Sequence, residues 1–424
     1  MQKINLKGKK VKNNIVKIGL GFSLLVSGNL FALGMNQAIQ TAVENNYSLK
    51  QQHFILEESE LNLDSSYSGY KPKLDLSYNY NDRDKVLAGQ IKRDSTVSAK
   101  ISYNLFNGFM DKYNIDASEN LFESSKLTYK ASKEDLILEV KNSYINYLLK
   151  QKNSQTFSEA LKLYKKQYED SSNFFAQGLI AKNELLEVEV QMLQATQNLQ
   201  NAKTDEKIAK HQLENVLGTK LKDELESISL DENIKFDKTS IENRSELKAL
   251  ELTSQSFTSL AKASQSGYMP KVDASFSINK YGEDASPHDR EGYPDSQNIG
   301  TVNLNWNLYN GNSDSTSVMI NRKKAAQYKM QLQDLKQEIE LQFENAKEQL
   351  EVSKLNLKTA NKALETSKLN YEIVVNKVQE GLSSNKDLID ANYLLTQSKQ
   401  NYFSAYYNRY LAIATLQRVL EVNN

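Results

Sequence analysis

The chain has 424 residues, 39% hydrophobic and 25% charged, with 53 basic against 53 acidic side chains and no cysteine. A mean hydropathy of −0.62 argues against a polytopic helical membrane protein. The absence of cysteine excludes disulfides, thiolate metal sites and a cysteine-linked lipid anchor.

Residues 1–34 carry the three parts of a secretory signal. Lys3, Lys7, Lys9, Lys10, Lys12 and Lys17 come first, an apolar run from Ile18 to Leu33 follows, and the small residues Ala32 and Gly34 suit cleavage before Met35. The alternative, an uncleaved anchor, has too short a core and no stop-transfer pattern. These six lysines face no acid, so the remainder carries six more acids than bases. An acidic, exported chain is a poor partner for nucleic acid.

The rest reads as two repeats, 35–218 and 241–424, joined by a linker at 219–240. Tyr70-Lys71-Pro72-Lys73-Leu74-Asp75 returns as Tyr268-Met269-Pro270-Lys271-Val272-Asp273, offset by 198. Leu105-Phe106-Asn107-Gly108 returns as Leu308-Tyr309-Asn310-Gly311, and Gly178-Leu179 as Gly381-Leu382, offset by 203. A period this long marks a duplicated domain, not a solenoid.

Each copy is expected to open on a helix, the first over Asn36 to Lys50. A β-hairpin follows at about 73–106 and again at about 271–309. Pro72 and Pro270 mark the strand starts. Leu74, Leu76, Tyr78 and Tyr80, then Val97, Ala99, Ile101, Tyr103 and Leu105, alternate with polar residues. So do Val272, Ala274, Phe276 and Ile278, then Val302, Leu304, Trp306 and Leu308. This period of two gives four strands with one apolar face. Trp306, Tyr78, Tyr80 and Tyr103 suit an aromatic girdle or ordinary lipid-facing packing. The loops fall at Asn81–Ser95 and Tyr281–Asn298. Asn107-Gly108 and Asn310-Gly311 read as structural turns from strand into helix.

Long helices are predicted at about 110–176, 181–217, 313–379 and 384–421. All four prolines lie at strand starts or in the second hairpin loop. Apolar and small residues step by three and four through Val188, Met192, Ala195, Leu199, Ala202, Ala209, Leu213 and Val216, with Glu206 the exception. The second copy repeats the seam from Leu388 to Val419, with Arg409 the exception. Such a seam is that of a coiled coil. A helix over 111–177 is about 100 Å long at 1.5 Å per residue, roughly three times a bilayer's hydrocarbon thickness. It must project into water.

Four strands cannot close a spanning barrel, since about eight are needed and lipid tolerates no open edge. Two chains sharing a barrel supply eight strands and a filled lumen; three supply twelve and leave a passage.

With the Pro-led strands, the Asn-Gly turns and the helix breaks Phe175-Ala176-Gln177-Gly178-Leu179 and Val378-Gln379-Glu380-Gly381-Leu382 in this order, the chain resembles the TolC-like outer membrane efflux proteins (outer membrane factors). The resemblance covers residues 35–424 almost end to end. It implies a mainly α fold with antiparallel coiled-coil helices forming an α-barrel, and two β-hairpins contributing to a trimeric twelve-stranded barrel. It also implies a passive exit duct of a tripartite efflux or type I secretion system. The partners would be two further copies, a periplasmic adaptor (membrane fusion) protein, an energised inner-membrane pump and outer-membrane lipid. No cofactor is expected. The competing reading is a periplasmic coiled-coil adaptor or scaffold without a barrel, which leaves the strands unexplained.

Gly178 and Gly381 would form the periplasmic tip. Asp387 and Asp390, three residues apart on one helix face, match positions where the family places acidic rings at the entrance, and Glu184 matches an acid in the first copy. Ser384-x-x-Asp387 also reads as a capping box. Ser383 and Val378 depart from the pattern of the best-known enteric member, which has arginine and tyrosine there. His53, His211 and His288 are scattered, and no zinc, phosphate-loop or nucleophile motif is present. An enzyme is not indicated.

Overall fold

A computed structural model describes residues 32–87, 90–230, 238–288 and 294–422. Most of the expected leader, residues 1–31, lies outside them, as do 231–237 of the linker, 88–89 of the first hairpin loop and 289–293 of the second. The first repeat runs α1 (Met35–Asn45), α2 (Tyr47–Ser66), β1 (Lys73–Asp82), β2 (Arg93–Phe106), α3 (Met110–Ala176) and α4 (Lys182–Leu217). The second runs α5 (Ser245–Ser264), β3 (Lys271–Gly282), β4 (Ser296–Asn305), α6 (Ser313–Gln379) and α7 (Asn385–Leu420). Among the described residues no helix is long and apolar enough to cross a membrane.

The opening helix differs from expectation, because α1 stops at Asn45 and α2 restarts at Tyr47. Asn46 is extended (φ −61°, ψ 126°) and its side chain accepts from Leu49 N, so it caps α2 rather than continuing α1. Its Nδ2 donates to Val216 O at 3.0 Å, which ties the break to the end of α4.

The two hairpins form one antiparallel sheet in the order β1-β2-β3-β4, so that β2 of the first repeat pairs with β3 of the second. Register sets Leu76 opposite Ala99, Ala99 opposite Ile278, and Ala274 opposite Val302. Residues directly opposite share a face, so the apolar stripes of all four strands coincide. A bulge leaves Leu105 unpaired, and Phe106 takes the place opposite Val272. Strand β4 ends at Asn305, before Trp306 and Leu308, because its partner β3 begins opposite, at Lys271. Pro270, the residue before, has no N–H to give the ladder.

Helices α3 and α6 each contain 67 residues, about 100 Å of rise. The period-3.5 seam is buried as the pattern requires: Val188 and Leu213 are fully covered, and Ala195, Ala202, Ala209 and Val216 nearly so. Arg409, the exception in the second seam, is also buried. Its Nη1 donates to Leu350 O at 2.6 Å and to Ser353 Oγ at 3.3 Å, so Nη1 is satisfied by α6 and the charge does not break the seam. The largest core lies where α1 and α2 meet α3 and α4, around Ala38, Leu49, Val140, Tyr144 and Leu213. There the Tyr144 hydroxyl lies 2.7 Å from Leu33 O and 2.8 Å from Glu226 O, and shares its proton between them. Leu33 also pairs with the linker, donating to Glu224 O and accepting from Glu226 N. A chain beginning at Met35 would forgo these contacts.

Candidate functional site

The two helix-to-helix turns have the same geometry. Gly178 has φ +72° and Gly381 φ +73°, left-handed values that only glycine adopts without strain. Gly178 N donates to Phe175 O and Leu179 N to Phe174 O; Gly381 N donates to Val378 O and Leu382 N to Lys377 O. These paired bonds are Schellman motifs, which satisfy the last carbonyls of α3 and α6 and turn the chain back. The residue after each glycine, Leu179 or Leu382, is 66% or 72% exposed. In the sequence both leucines served only as landmarks of the repeat, at an offset of 203.

After these turns the two repeats differ. Helix α7 begins at Ser384, whose Oγ accepts from Asp387 N at 3.2 Å, while Ser384 N donates to Asp387 Oδ2 at 2.9 Å. Ser383 Oγ and Ser384 Oγ each lie 2.8 Å from the same carboxylate oxygen. The capping box is therefore complete. The Ser384 backbone N–H, then the Ser383 and Ser384 hydroxyls, hold the Asp387 carboxyl down at about 2. At neutral pH Asp387 is ionised. All three of these bonds fall on Oδ2, so the cap does not use Oδ1.

Asp390, one turn on, is exposed and pairs with Lys386 Nζ at 3.2 Å. This lysine, absent from the sequence reading, was visible as an i,i+4 partner. An exposed pair of this kind is worth little. Helix α4 begins at Ala181, which has no side-chain oxygen to cap with, and Glu184 stands at the position equivalent to Asp387. Among the described residues nothing links Glu184 to either aspartate. The two turns nonetheless share one end of the molecule: Leu161, Tyr164, Val188, Ala195 and Ile389 form a common cluster, and Gln167 Nε2 donates to Asn385 O at 3.1 Å.

At the other end, two successive left-handed residues, Gly108–Phe109 and Gly311–Asn312, turn each strand into its long helix. Asn107 O accepts from Met110 N and Asn310 O from Ser313 N. Asp111 and Asp314, which the sequence reading also missed, fill matching places here. A Cβ on Gly69 would lie 2.3 Å from Asp111 Oδ1, and one on Gly267 2.2 Å from Asp314 Oδ1. The glycine preceding each Pro-led strand therefore admits the first-turn acid of the following long helix.

The apolar face of the sheet is bare. Leu74 and Leu76 are each 79% exposed, Val302 70% and Leu304 67%. From Leu74 to Tyr80 the band is about 20 Å tall at 3.3 Å per residue. Tyr78 and Tyr80 lie toward its loop end, and Tyr103 and Trp306 toward its helix end. Trp306 Nε1 donates to Tyr268 O at 3.2 Å. A water-soluble protein rarely leaves so continuous a patch uncovered, whereas a transmembrane barrel presents such a band with aromatic residues at both rims.

A sheet with one bare apolar face, carried on two helices of 67 residues that each pack against one of 36, has the architecture of an outer-membrane channel. The chain belongs to the outer membrane efflux protein family, whose model matches residues 38–219 and 238–421. Membership places it in the outer membrane, as a TolC-like transport channel and not an enzyme. Several solved structures share its fold, three of them as follows. The CmeC outer membrane channel of Campylobacter jejuni is 16% identical with a TM-score of 0.82, covering 91% of this chain and 85% of that one. The outer membrane protein VceC of Vibrio cholerae is 13% identical with a TM-score of 0.78, over 91% and 95%. The open state of the Neisseria gonorrhoeae MtrE outer membrane channel is 16% identical with a TM-score of 0.76, over 91% and 88%. No curated protein matches the chain by sequence.

Proposed function

We propose that three copies close a twelve-stranded barrel, that their helices continue it as a periplasmic tunnel, and that the assembly is the passive exit duct of a tripartite efflux or type I secretion system. The observation that carries this reading is the single four-stranded sheet. Its apolar face is exposed and its outer strands, β1 and β4, have no partner beyond them among the described residues. Unpaired strand edges cannot face lipid, and three copies are the fewest that leave an open lumen. The hairpin loops then face the outside medium and the two glycine turns the periplasm. Native mass measurement in mild detergent is expected to give a trimer, and a stable monomer would overturn the shared barrel.

At the entrance, Asp387 serves as helix cap and as charge. A capping carboxylate held at about 2 stays ionised, and threefold symmetry repeats it around a narrow mouth where potential accumulates. Asp390 and Glu184 add to that field, with Lys386 partly offsetting it. Multivalent cations are therefore expected to block conductance from the periplasmic side. Planar-bilayer recordings of Asp387→Ala/Asp390→Ala should lose that block. Unchanged block would move the constriction elsewhere, with Glu184 next to be tested.

The energised inner-membrane pump reaches this duct through a periplasmic adaptor seated on the turns. Supporting this are the exposed Leu179 and Leu382, one per turn, which offer matched apolar contacts at the end farthest from the sheet. Cross-linking from cysteines placed at these positions should capture the adaptor in intact cells, and cross-links only from the sheet-end loops would reverse the topology.

A further inference from the structure

Five buried side-chain polar atoms have no hydrogen-bond partner among the described residues, and two of them, Ser171 Oγ and Asn392 Oδ1, belong to the helices that meet just behind the turns. Both residues are 1% exposed. An unpaired buried polar atom is costly, and a native protein rarely keeps one without a use. Asn392 lines a pocket of 130 Å³ between α3, α6 and α7. Its walls are stripes of three helices, among them Leu163 and Phe174 of α3, Tyr371, Val375 and Val378 of α6, and Leu388 of α7. Ser171 lies one turn from Gln167, another lining residue, on the same stripe of α3.

We propose that this pocket is a binding site for a small single-ring molecule of the phenol class, with the ring between α3 and α6 and the hydroxyl on the Asn392 amide. Size sets the first condition, since an apolar cavity of about 150 Å³ holds a benzene ring. The lining sets the second: apolar and aromatic side chains stand beside two buried amides, Gln167 and Asn392. Since Gln167 Nε2 already donates to Asn385 O while Asn392 Oδ1 has no partner, the ligand needs an uncharged ring and a polar group for Asn392. A hydroxyl suits the amide in either orientation, because it both donates and accepts. At the rim, Lys166 and Asp170 sit one turn apart on α3 and offset each other's charge, which favours a neutral ligand over an anilinium or a benzoate. Occupancy would tie α3 of the first repeat to α6 and α7 of the second, directly behind both glycine turns. All of the lining residues belong to one chain.

The test is a fluorine NMR titration of the full-length, detergent-solubilised protein with 4-fluorophenol, using fluorobenzene and a protein-free micelle sample as references. Saturable binding is expected for 4-fluorophenol, with fluorobenzene at least about fivefold weaker, the factor expected for one lost hydrogen bond. Asn392→Leu, which keeps the volume and removes the amide, should weaken 4-fluorophenol by about fivefold to tenfold. It should also raise the ligand-free melting temperature by relieving the unpaired atom. Val375→Phe should abolish binding by filling the pocket. Equal binding by the wild type and Val375→Phe would mean partition into the micelle and would overturn the site. So would undiminished affinity in Asn392→Leu, or a crystal structure soaked with 4-bromophenol that shows ordered water alone in the pocket. If Val375→Phe does not fold, Asn392→Leu and the soak decide the matter between them.

Discussion

The sheet and the helical seam use the same aliphatic residues in opposite ways. In the seam Leu213 and Val188 are fully buried, whereas Leu74 and Leu76 on β1 stand 79% exposed. Burial in water is driven by removing apolar surface from solvent, at roughly 25 cal/mol per Å². The helices obtain that within one chain, because each seam has a partner helix. The sheet cannot, because no described residue covers its outer face. One region is stabilised by protein packed on protein and the other by lipid, so equivalent substitutions should behave differently in each.

Size deletion gives the largest contrast. Leu213→Ala should destabilise by about 2 to 5 kcal/mol through the cavity it leaves, while Leu76→Ala should have a much smaller effect, measured by reversible denaturation of vesicle-reconstituted protein. Charge sharpens the comparison from the other side: Leu76→Arg should cost about 2 to 4 kcal/mol in a bilayer, and an unchanged stability would remove lipid as the sheet's partner.

Acid should separate the two regions next. Arg244 grips Glu246 with Nε at 3.1 Å and Nη2 at 2.6 Å. Arg418 reaches the same carboxylate and also Asp135 Oδ1 at 2.7 Å. Burial alone would raise the Glu246 carboxyl, but the two guanidinium groups prevail and hold it at about 2 instead of 4.5. A depressed carboxyl contributes stability above its unfolded pKa and loses it as pH falls toward the folded one. Roughly 3 kcal/mol should therefore disappear between about pH 4.5 and 2. In Glu246→Gln that portion of the acid limb should flatten while the sheet's infrared signature stays unchanged. A wild-type acid profile in the variant would assign the loss to other groups.

The smallest expected effect compares the two turns. Ala181 already has the extended backbone of an N-cap (φ −78°, ψ 154°) but offers no oxygen. Ala181→Ser should add about 1 kcal/mol to the start of α4, and Ser384→Ala should remove about as much from α7. Amide hydrogen exchange at the two first turns would register both changes. Processing can be checked as well: N-terminal sequencing is expected to place the start near Met35, and a start that retains Leu33 would keep its bonds to the linker and to Tyr144.

Much of this protein is written in local pattern. The period of two in Leu74, Leu76, Tyr78 and Tyr80, the three-four stepping from Val188 to Val216, and the recurrence of Pro72, Gly108 and Gly178 as Pro270, Gly311 and Gly381 specify strands, seams and turns. Each of these depends on backbone periodicity or on one residue's allowed dihedrals. The capping box at Ser384 was legible for the same reason, being a contact over three residues.

Tertiary structure decided what joins distant segments. The pairing of β2 with β3 fuses two hairpins that the sequence keeps far apart, and the bulge at Leu105 and the early end of β4 follow from that pairing. Asn46 breaks the opening helix because its side chain meets Val216. Arg409 can occupy a seam because Leu350 O and Ser353 Oγ accept its hydrogen bonds, and the Glu246 carboxyl is held low because Arg244 and Arg418 converge on it. The pocket around Asn392 needs three helices from both repeats. Periodicity determines which face of an element is apolar, since that depends only on neighbours along the chain. What the face meets, and whether a buried polar atom finds a partner, depends on residues that only folding brings within hydrogen-bond range.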